Sequence, residues 1–204
     1  MINKQIFEGK TKEEVLNKIK EELELEEKDL YIEEEFHEAK LFKSSKCILK
    51  VITKDDVKNF LKDYIENYSK LMNIKINYEM NETEGIYNIT LVTENNPILI
   101  GKEGKTLESL QLLMRQAIQK QTGHSIKVNV DISGYKNKKM KNLEYEVKKI
   151  AKEVQSSKID ASLDHMNSYE RRRIHTLISE MKNLTTESVG EGKDRHIIIK
   201  YIED

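Results

Sequence analysis

The chain reads as an α+β protein of three small domains, and three observations carry that reading. Apolar residues recur at helical spacing in some segments and alternate strand-like in others, and the two patterns interleave along the whole length. The 204 residues are 37% hydrophobic, enough to bury several small cores. With one proline, eight glycines and no Ser/Gly-rich tract, there is no long flexible linker.

In residues 1–53, Ile6 and Phe7 begin a short strand. Thr11 with Glu14 forms a strict capping box ahead of an amphipathic helix carrying Val15, Leu16, Ile19 and Leu23. Leu30 to Ile32 and Cys47 to Ile52 read as strands around a polar connection, which completes an acidic βαββ unit with no catalytic constellation. In residues 54–134, a helix over 56–72 is marked by Val57, Phe60, Leu61, Tyr64 and Tyr68. Alternating segments at 74–80 and 86–92 flank turn chemistry at 81–85, so they form a hairpin. A short helical segment leads into Gly101-Lys102-Glu103-Gly104. Lys105 opens a helix with Leu107, Leu110, Met114, Ala117 and Ile118 on one side, and Ile126, Val128, Val130 and Ile132 alternate as a closing strand. In residues 135–204, the longest helix spans 137–155 with Met140, Leu143, Val147, Ile150 and Val154 inward and Lys136, Lys138, Lys139, Lys141, Lys148 and Lys149 mostly outward. A strand near 159–161, a helix from Ser168 to Met181 and strands near 186–189 and 196–202 close the chain.

Charge gives only local guidance. Thirty-five basic and 36 acidic residues leave a formal net charge of −1, so global charge does not select a partner. Residues 135–204 hold 15 basic against 12 acidic side chains, and the preceding 134 residues are net negative. The single cysteine, Cys47, lies in an apolar run and excludes an internal disulfide or a Cys-rich zinc site. No signal pattern opens the chain and no apolar run approaches the roughly 20 residues that span a bilayer, so a cytoplasmic protein without membrane insertion is expected.

Two motifs carry chemistry. Glycines at 101 and 104 let a backbone approach closely, the following helix offers unpaired N–H groups to a phosphate, and Lys102 adds a charged contact. Ile98, Ile100 and Leu107 form an apolar groove for unstacked bases. The plainer reading, a tight turn opening a helix, is outweighed by this apolar context, and no Walker spacing follows. The second motif is the helix beginning Ser168-Tyr169-Glu170-Arg171-Arg172-Arg173-Ile174-His175. Ile174, Leu177, Ile178 and Met181 mark its buried face, and Asn167 with Glu170 is a capping box in its Asn variant. Arg171 and His175, at i and i+4 on the margin of that face, are placed to converge on one ligand; the alternative is a surface helix whose cations pair with Glu170 or Asp164. No second His, Cys or paired carboxylate stands at ligand spacing there, and no nucleophile–base–acid set exists, so neither metal, cofactor nor enzymatic activity is expected.

Region 55–133 resembles a type II KH domain, on Ile100-Gly101-Lys102-Glu103-Gly104 with aliphatic Leu107 three positions on. The resemblance implies single-stranded RNA clamped by Ile100, Gly101, Lys102, Glu103, Gly104 and Lys105. Glu103 is a departure, setting a carboxylate against the phosphates. Met166 to His175, with Gly190 to Arg195 and the Ile-rich closing strand, resembles the R-3-H domain, which binds single-stranded nucleic acid. Arg171 and His175 would be its namesake pair and Arg172, Arg173, Lys193 and Arg195 its supporting cations; His165 stands where that family often has proline.

The order of an N-terminal βαββ unit with Phe7 to Val15, a type II KH domain and an R-3-H domain resembles the Jag family of SpoIIIJ-associated, KhpB-like proteins. This implies a bacterial RNA-binding regulator of cell elongation, division or sporulation, a small single-KH partner protein and a functional link to a YidC-type insertase. Single-stranded DNA is a second candidate ligand and a homodimer a candidate assembly. Where relatives frequently carry a Lys-Lys-Gly-rich turn, this chain has Glu38 to Lys46. The alternative function is a protein-interaction scaffold, with KH-like dimerisation and an acidic N-terminal docking domain, favoured by Glu103 and the negative first 134 residues.

Overall fold

The structure is a computed structural model that describes residues 2–37 and 46–203; the segment 38–45, most of the departure at 38–46, lies outside the described residues. Two compact units divide the chain, residues 1–133 and 134–204. In the first, strand β1 (Gln5–Gly9), helix α1 (Lys12–Leu23), β2 (Leu30–His37) and β3 (Lys46–Thr53) form an antiparallel sheet of order β1-β3-β2 under one helix. Strict alternation puts Cys47, Leu49 and Val51 of the central strand against Val15 and Ile19 of α1, so the thiol is a core group. The capping box at Thr11 is not reciprocal. Thr11 Oγ1 accepts from the Glu14 N–H at 3.2 Å, but the Glu14 carboxylate accepts from the Lys10 N–H at 2.9 Å, one residue upstream of the expected donor.

The same unit continues with α2 (Lys54–Met72), β4 (Ile76–Thr83), β5 (Ile86–Thr93), α3 (Asn96–Ile100), α4 (Lys105–Thr122) and β6 (Lys127–Ile132). Helix α2 starts two residues before the expected Asp56, because Thr53 and Asp56 form a full capping box and the acidic first turn carries no apolar signal. Between β4 and β5 the hairpin narrows to Glu84-Gly85, both with positive φ. Strand β6 lies parallel to β5, giving the order β4-β5-β6, and α3 and α4 make the crossover. Leu107, Leu110, Met114 and Ile118 line the buried side of α4, and Val57, Leu61 and Ile65 that of α2.

Contacts also join the two sheets inside this unit. Tyr31 on β2 donates its hydroxyl to Tyr87 on β5 at 3.3 Å, and Tyr87, fully buried, donates to the Lys54 carbonyl at 3.3 Å. The Ile2 N–H reaches Gln121 Oε1 at 3.3 Å, and the Tyr31 and His124 rings lie 5.8 Å apart. The βαββ element is thus seated on the end of α4 by polar and aromatic contacts.

The second unit comprises α5 (Tyr135–Ser157), β7 (Ala161–Ser162), α6 (Ser168–Ser179), β8 (Leu184–Val189) and β9 (His196–Tyr201), with an antiparallel sheet of order β7-β9-β8. Val147, Ala151 and Val154 of α5 meet Ile174 and Ile178 of α6 and Leu184, Ile197 and Ile199 of the sheet. Strand β7 starts at Ala161, not at the expected Ile159. The Asp160 side chain accepts the Tyr201 N–H at 3.1 Å in place of a ladder bond, and Ile159 stays exposed. Helix α6 ends two residues before Met181. Among the described residues no helix is long and apolar enough to cross a membrane.

Burial, with the Tyr31 hydrogen bond adding to it, pushes the Tyr87 hydroxyl far above the ordinary tyrosine value. With the folded value raised, its stabilisation is intact below the unfolded pKa of about 10 and is lost as pH rises beyond it. Urea unfolding of the full chain is expected to show falling stability above about pH 10, and Tyr87→Phe should flatten part of that fall. Tyr64 and Tyr68, also raised by burial, should account for some of the remainder.

Candidate nucleic-acid interface

The glycine loop occupies the crossover between α3 and α4. Pro97 is the second residue of the five-residue α3, and the Gly101 N–H closes the helix on the Pro97 carbonyl at 2.9 Å. Gly101 has φ 71°, and a Cβ placed there would sit 2.0 Å from Thr106 Oγ1, so no side chain fits. Lys102 to Gly104 form a single 3-10 turn, with Glu103 left-handed at φ 57°. No side chain caps the N-terminus of α4; the turn itself takes up the first amides, the Gly104 N–H donating to the Gly101 carbonyl at 3.3 Å and the Lys105 N–H to the Lys102 carbonyl. Lys102 is exposed without an ion pair among the described residues, whereas the Glu103 carboxylate lies 3.5 Å from Lys105 Nζ, which offsets its charge. The expected apolar groove needs correction: Leu107 is 1% exposed and belongs to the core with Leu99, leaving half-buried Ile100 and exposed Ile98 at the loop.

On α6, Asn167 Oδ1 accepts from the Tyr169 and Glu170 N–H groups, and Glu170 accepts from the Asn167 N–H at 2.9 Å, a complete capping box. Glu170 pairs with Lys139 of α5 at 2.9 Å and not with Arg171. Arg171, half-buried, donates from Nη1 to the Met166 carbonyl at 2.7 Å, and the Met166 N–H donates to the Arg195 carbonyl at 3.3 Å. That relay ties the start of α6 to the loop carrying Lys193 and Arg195. His175 is held by two hydroxyls of β8, with Thr186 Oγ1 2.6 Å from Nδ1 and Ser188 Oγ 3.3 Å from Nε2. Arg172, Lys193 and Arg195 are exposed and have no ion pair among the described residues. Arg173 is engaged: its Nε donates to Glu144 Oε1 on α5 at 2.6 Å.

Residues 54–132 match the family model described as the KhpA/KhpB KH domain, and residues 141–201 match that of the R-3-H domain. Over 158 residues the chain is 36% identical to the RNA-binding protein KhpB of Clostridium symbiosum, covering 76% of this chain and 71% of that one. The chain belongs to the KhpB family. It is 29% identical over 163 residues to RNA-binding protein KhpB of Bacillus subtilis (strain 168), covering 79% and 78% of the two chains. With the protein of that name from Streptococcus pneumoniae serotype 2 it shares 24% over 154 residues, 74% of this chain but 47% of the relative. These relatives are named as RNA-binding proteins and none as an enzyme.

Seen as a KhpB-family surface, the R-3-H unit contains a residue the motif reading passed over. Tyr169, in the first turn of α6, is 66% exposed beside Arg172, an aromatic face set among cations. Its signal was an aromatic residue two positions ahead of the Arg run, before Glu170. Thr186 and Ser188, the partners of His175, carried no signal, since only the folded sheet brings β8 under α6. Among the described residues no group of three His, Cys, Asp or Glu side chains is placed to hold a metal ion.

Gly101→Ala is expected to destabilise the chain by about 1–3 kcal/mol in urea unfolding, because the added methyl meets Thr106 at a left-handed backbone position. Arg171→Ala should cost about 1–3 kcal/mol by losing a charged bond to a backbone carbonyl, so loss of binding in that variant reports on folding as well as contact.

Proposed function

We propose that this chain is a non-enzymatic RNA-binding protein that holds a single strand at two places. In the KH unit, Gly101 to Lys105 receive the backbone, with Ile100 at the base edge. In the R-3-H unit, Arg172, Lys193 and Arg195 contact phosphates around Tyr169, while Arg171 and His175 fix the helix that presents them. The observation carrying this is the Arg171–Met166–Arg195 relay. It gathers the exposed cations of two separate segments around one helix start, where guanidinium groups grip phosphate and an aromatic ring accepts a base. Two weak sites on one chain gain avidity when both engage one strand.

The finer reading extends to what this binding serves: a cytoplasmic regulator of elongation, division or sporulation, linked functionally to a YidC-type insertase. The KH family model spans both KhpA and KhpB, which supports a small single-KH partner protein. The βαββ element at 1–53 takes the role of the Jag N-terminal domain. A second reading, a scaffold or homodimer, is favoured by exposed Leu112 and Leu113 on α4 and Leu71 and Met72 at the end of α2.

Fluorescence polarisation with short single-stranded RNA and DNA oligomers, across a salt series, tests the RNA reading. Lys102→Ala with Lys105→Ala, and separately Arg172→Ala with Lys193→Ala and Arg195→Ala, are each expected to weaken RNA binding about tenfold or more while leaving unfolding curves unchanged. Glu103→Lys should tighten it. Wild-type protein that binds no oligomer at low salt, yet retains a protein partner after nuclease treatment, would leave the scaffold reading in its place.

A further inference from the structure

Helix α5 carries a basic stripe that the two motifs do not include. Lys138, Lys141, Tyr145, Lys148 and Lys152 recur at i, i+3, i+7, i+10 and i+14, all exposed, on the side opposite Val147, Ala151 and Val154. At 1.5 Å per residue the stripe runs about 21 Å, nearly two-thirds of the length of the helix. None of its four lysines has an ion pair among the described residues. The acids adjacent to Tyr145 in sequence, Glu144 and Glu146, are each turned about 100° away from it around the helix. Glu144 is moreover neutralised by Arg173, so the border nearest α6 is a closed ion pair, not a repelling carboxylate. Lys149, on the other border, sits 4.5 Å from the centre of the Tyr145 ring, which is 62% exposed. Exposed Glu146 and Glu153 lie on the flank of α5 away from Glu144, so within the stripe itself every charged position over four turns is a lysine.

We infer that the outer face of α5 is a third RNA contact, a track for the phosphate backbone of a strand leaving the α6 site. The inference rests on the RNA reading above. The Arg173–Glu144 pair joins the two surfaces, since Arg173 belongs to the basic run of α6 and its partner borders the stripe. Lysines act here as mobile point charges without the planar fork that reads base edges, so the track adds affinity without sequence preference. Tyr145 offers one sequence-tolerant stacking face in the middle of it. An anionic membrane fits less well. A helix that lies in a bilayer surface inserts its apolar face, and that of α5 is committed to the core of its own unit.

The test uses the full chain with Lys141→Gln, Lys148→Gln and Lys152→Gln combined. A control removes the same charge elsewhere, at exposed Lys62, Lys70 and Lys75, and vesicles containing phosphatidylserine provide the membrane arm. The α5 triple is expected to lower affinity about tenfold or more for single strands of any sequence and to reduce the slope of log affinity against log salt by about 2. The control triple and the vesicles should show no such response. Tyr145→Ala should weaken binding several-fold and Tyr145→Phe should not. Equal losses in the two triples, or no loss in the α5 triple while the wild type binds RNA, overturn the track and leave the RNA reading standing. Vesicle binding that the α5 triple abolishes, with RNA affinity unchanged, assigns the stripe to a membrane and also overturns it. A wild type that binds no RNA overturns both readings together.

Discussion

Parallel pairing of β6 with β5 is the constraint on which the first unit turns. Parallel neighbours cannot be joined by a tight hairpin, so the chain must cross the face of the sheet, and it does so as two helices that cover the core. The joint between them must reverse direction within a few residues while its backbone presses against the start of α4. Only glycine satisfies this at Gly101, where a Cβ would fall 2.0 Å from Thr106 Oγ1. The loop is therefore a by-product of closing the sheet, and its Gly101, Gly104 and Lys105 amides are tied to the Pro97, Gly101 and Lys102 carbonyls. A binding site at that place adds little strain beyond what the topology already imposes, apart from left-handed Glu103.

In the second unit the ordering constraint is hydrogen bonding by groups whose spacing pointed first to a shared ligand. Arg171 and His175 sit on the margin of the buried face of α6, as their spacing required, but each satisfies the protein first: Arg171 the Met166 carbonyl, His175 the hydroxyls of Thr186 and Ser188. Burying half of a guanidinium and an imidazole without such partners would be costly. The namesake pair thereby becomes the frame that holds the loop at Lys193 and Arg195 against the helix start. The cations left over after internal pairing, Arg172, Lys193 and Arg195, are exposed. Arg173 illustrates the distinction, since it lies in the same run as Arg172 yet is engaged by Glu144.

Legibility followed the range of the interaction concerned. Helical and alternating periodicities, the Asn167 capping box and the glycine turn are local, and the sequence disclosed them. Element ends were displaced by one to five residues wherever a non-apolar residue set the boundary: Glu33 to Glu35, through which β2 runs on from Ile32 to His37, Asp55 and Asp56 within the first turn of α2, or Asp160 standing in for a strand bond to Tyr201. Leu107 was assigned to a groove because its position relative to the glycines was right, but the side on which a helix meets its sheet depends on partners far away in the chain. For the same reason Thr186 and Ser188 were silent, and the redirection of Glu14 to Lys10 could not be told from spacing alone.

Charge shows most clearly why sequence counts mislead. A net charge of −1 describes a chain in which acids and bases are nearly equal in number, but folding sorts them unequally. In the βαββ element lysines are closed against glutamates, as in Lys4 with Glu33, Lys12 with Glu34, Lys46 with Glu8 and Lys50 with Glu35, so the cations of that acidic surface are largely spent on internal pairs. On α5 and around the start of α6, Glu144 and Glu170 are closed in ion pairs, and exposed Glu146 and Glu153 lie off the lysine stripe. What attracts a polyanion is the local field left by these pairings, not the total. A nearly neutral chain can therefore carry a surface whose affinity for phosphate is set by a few unpaired lysines and arginines.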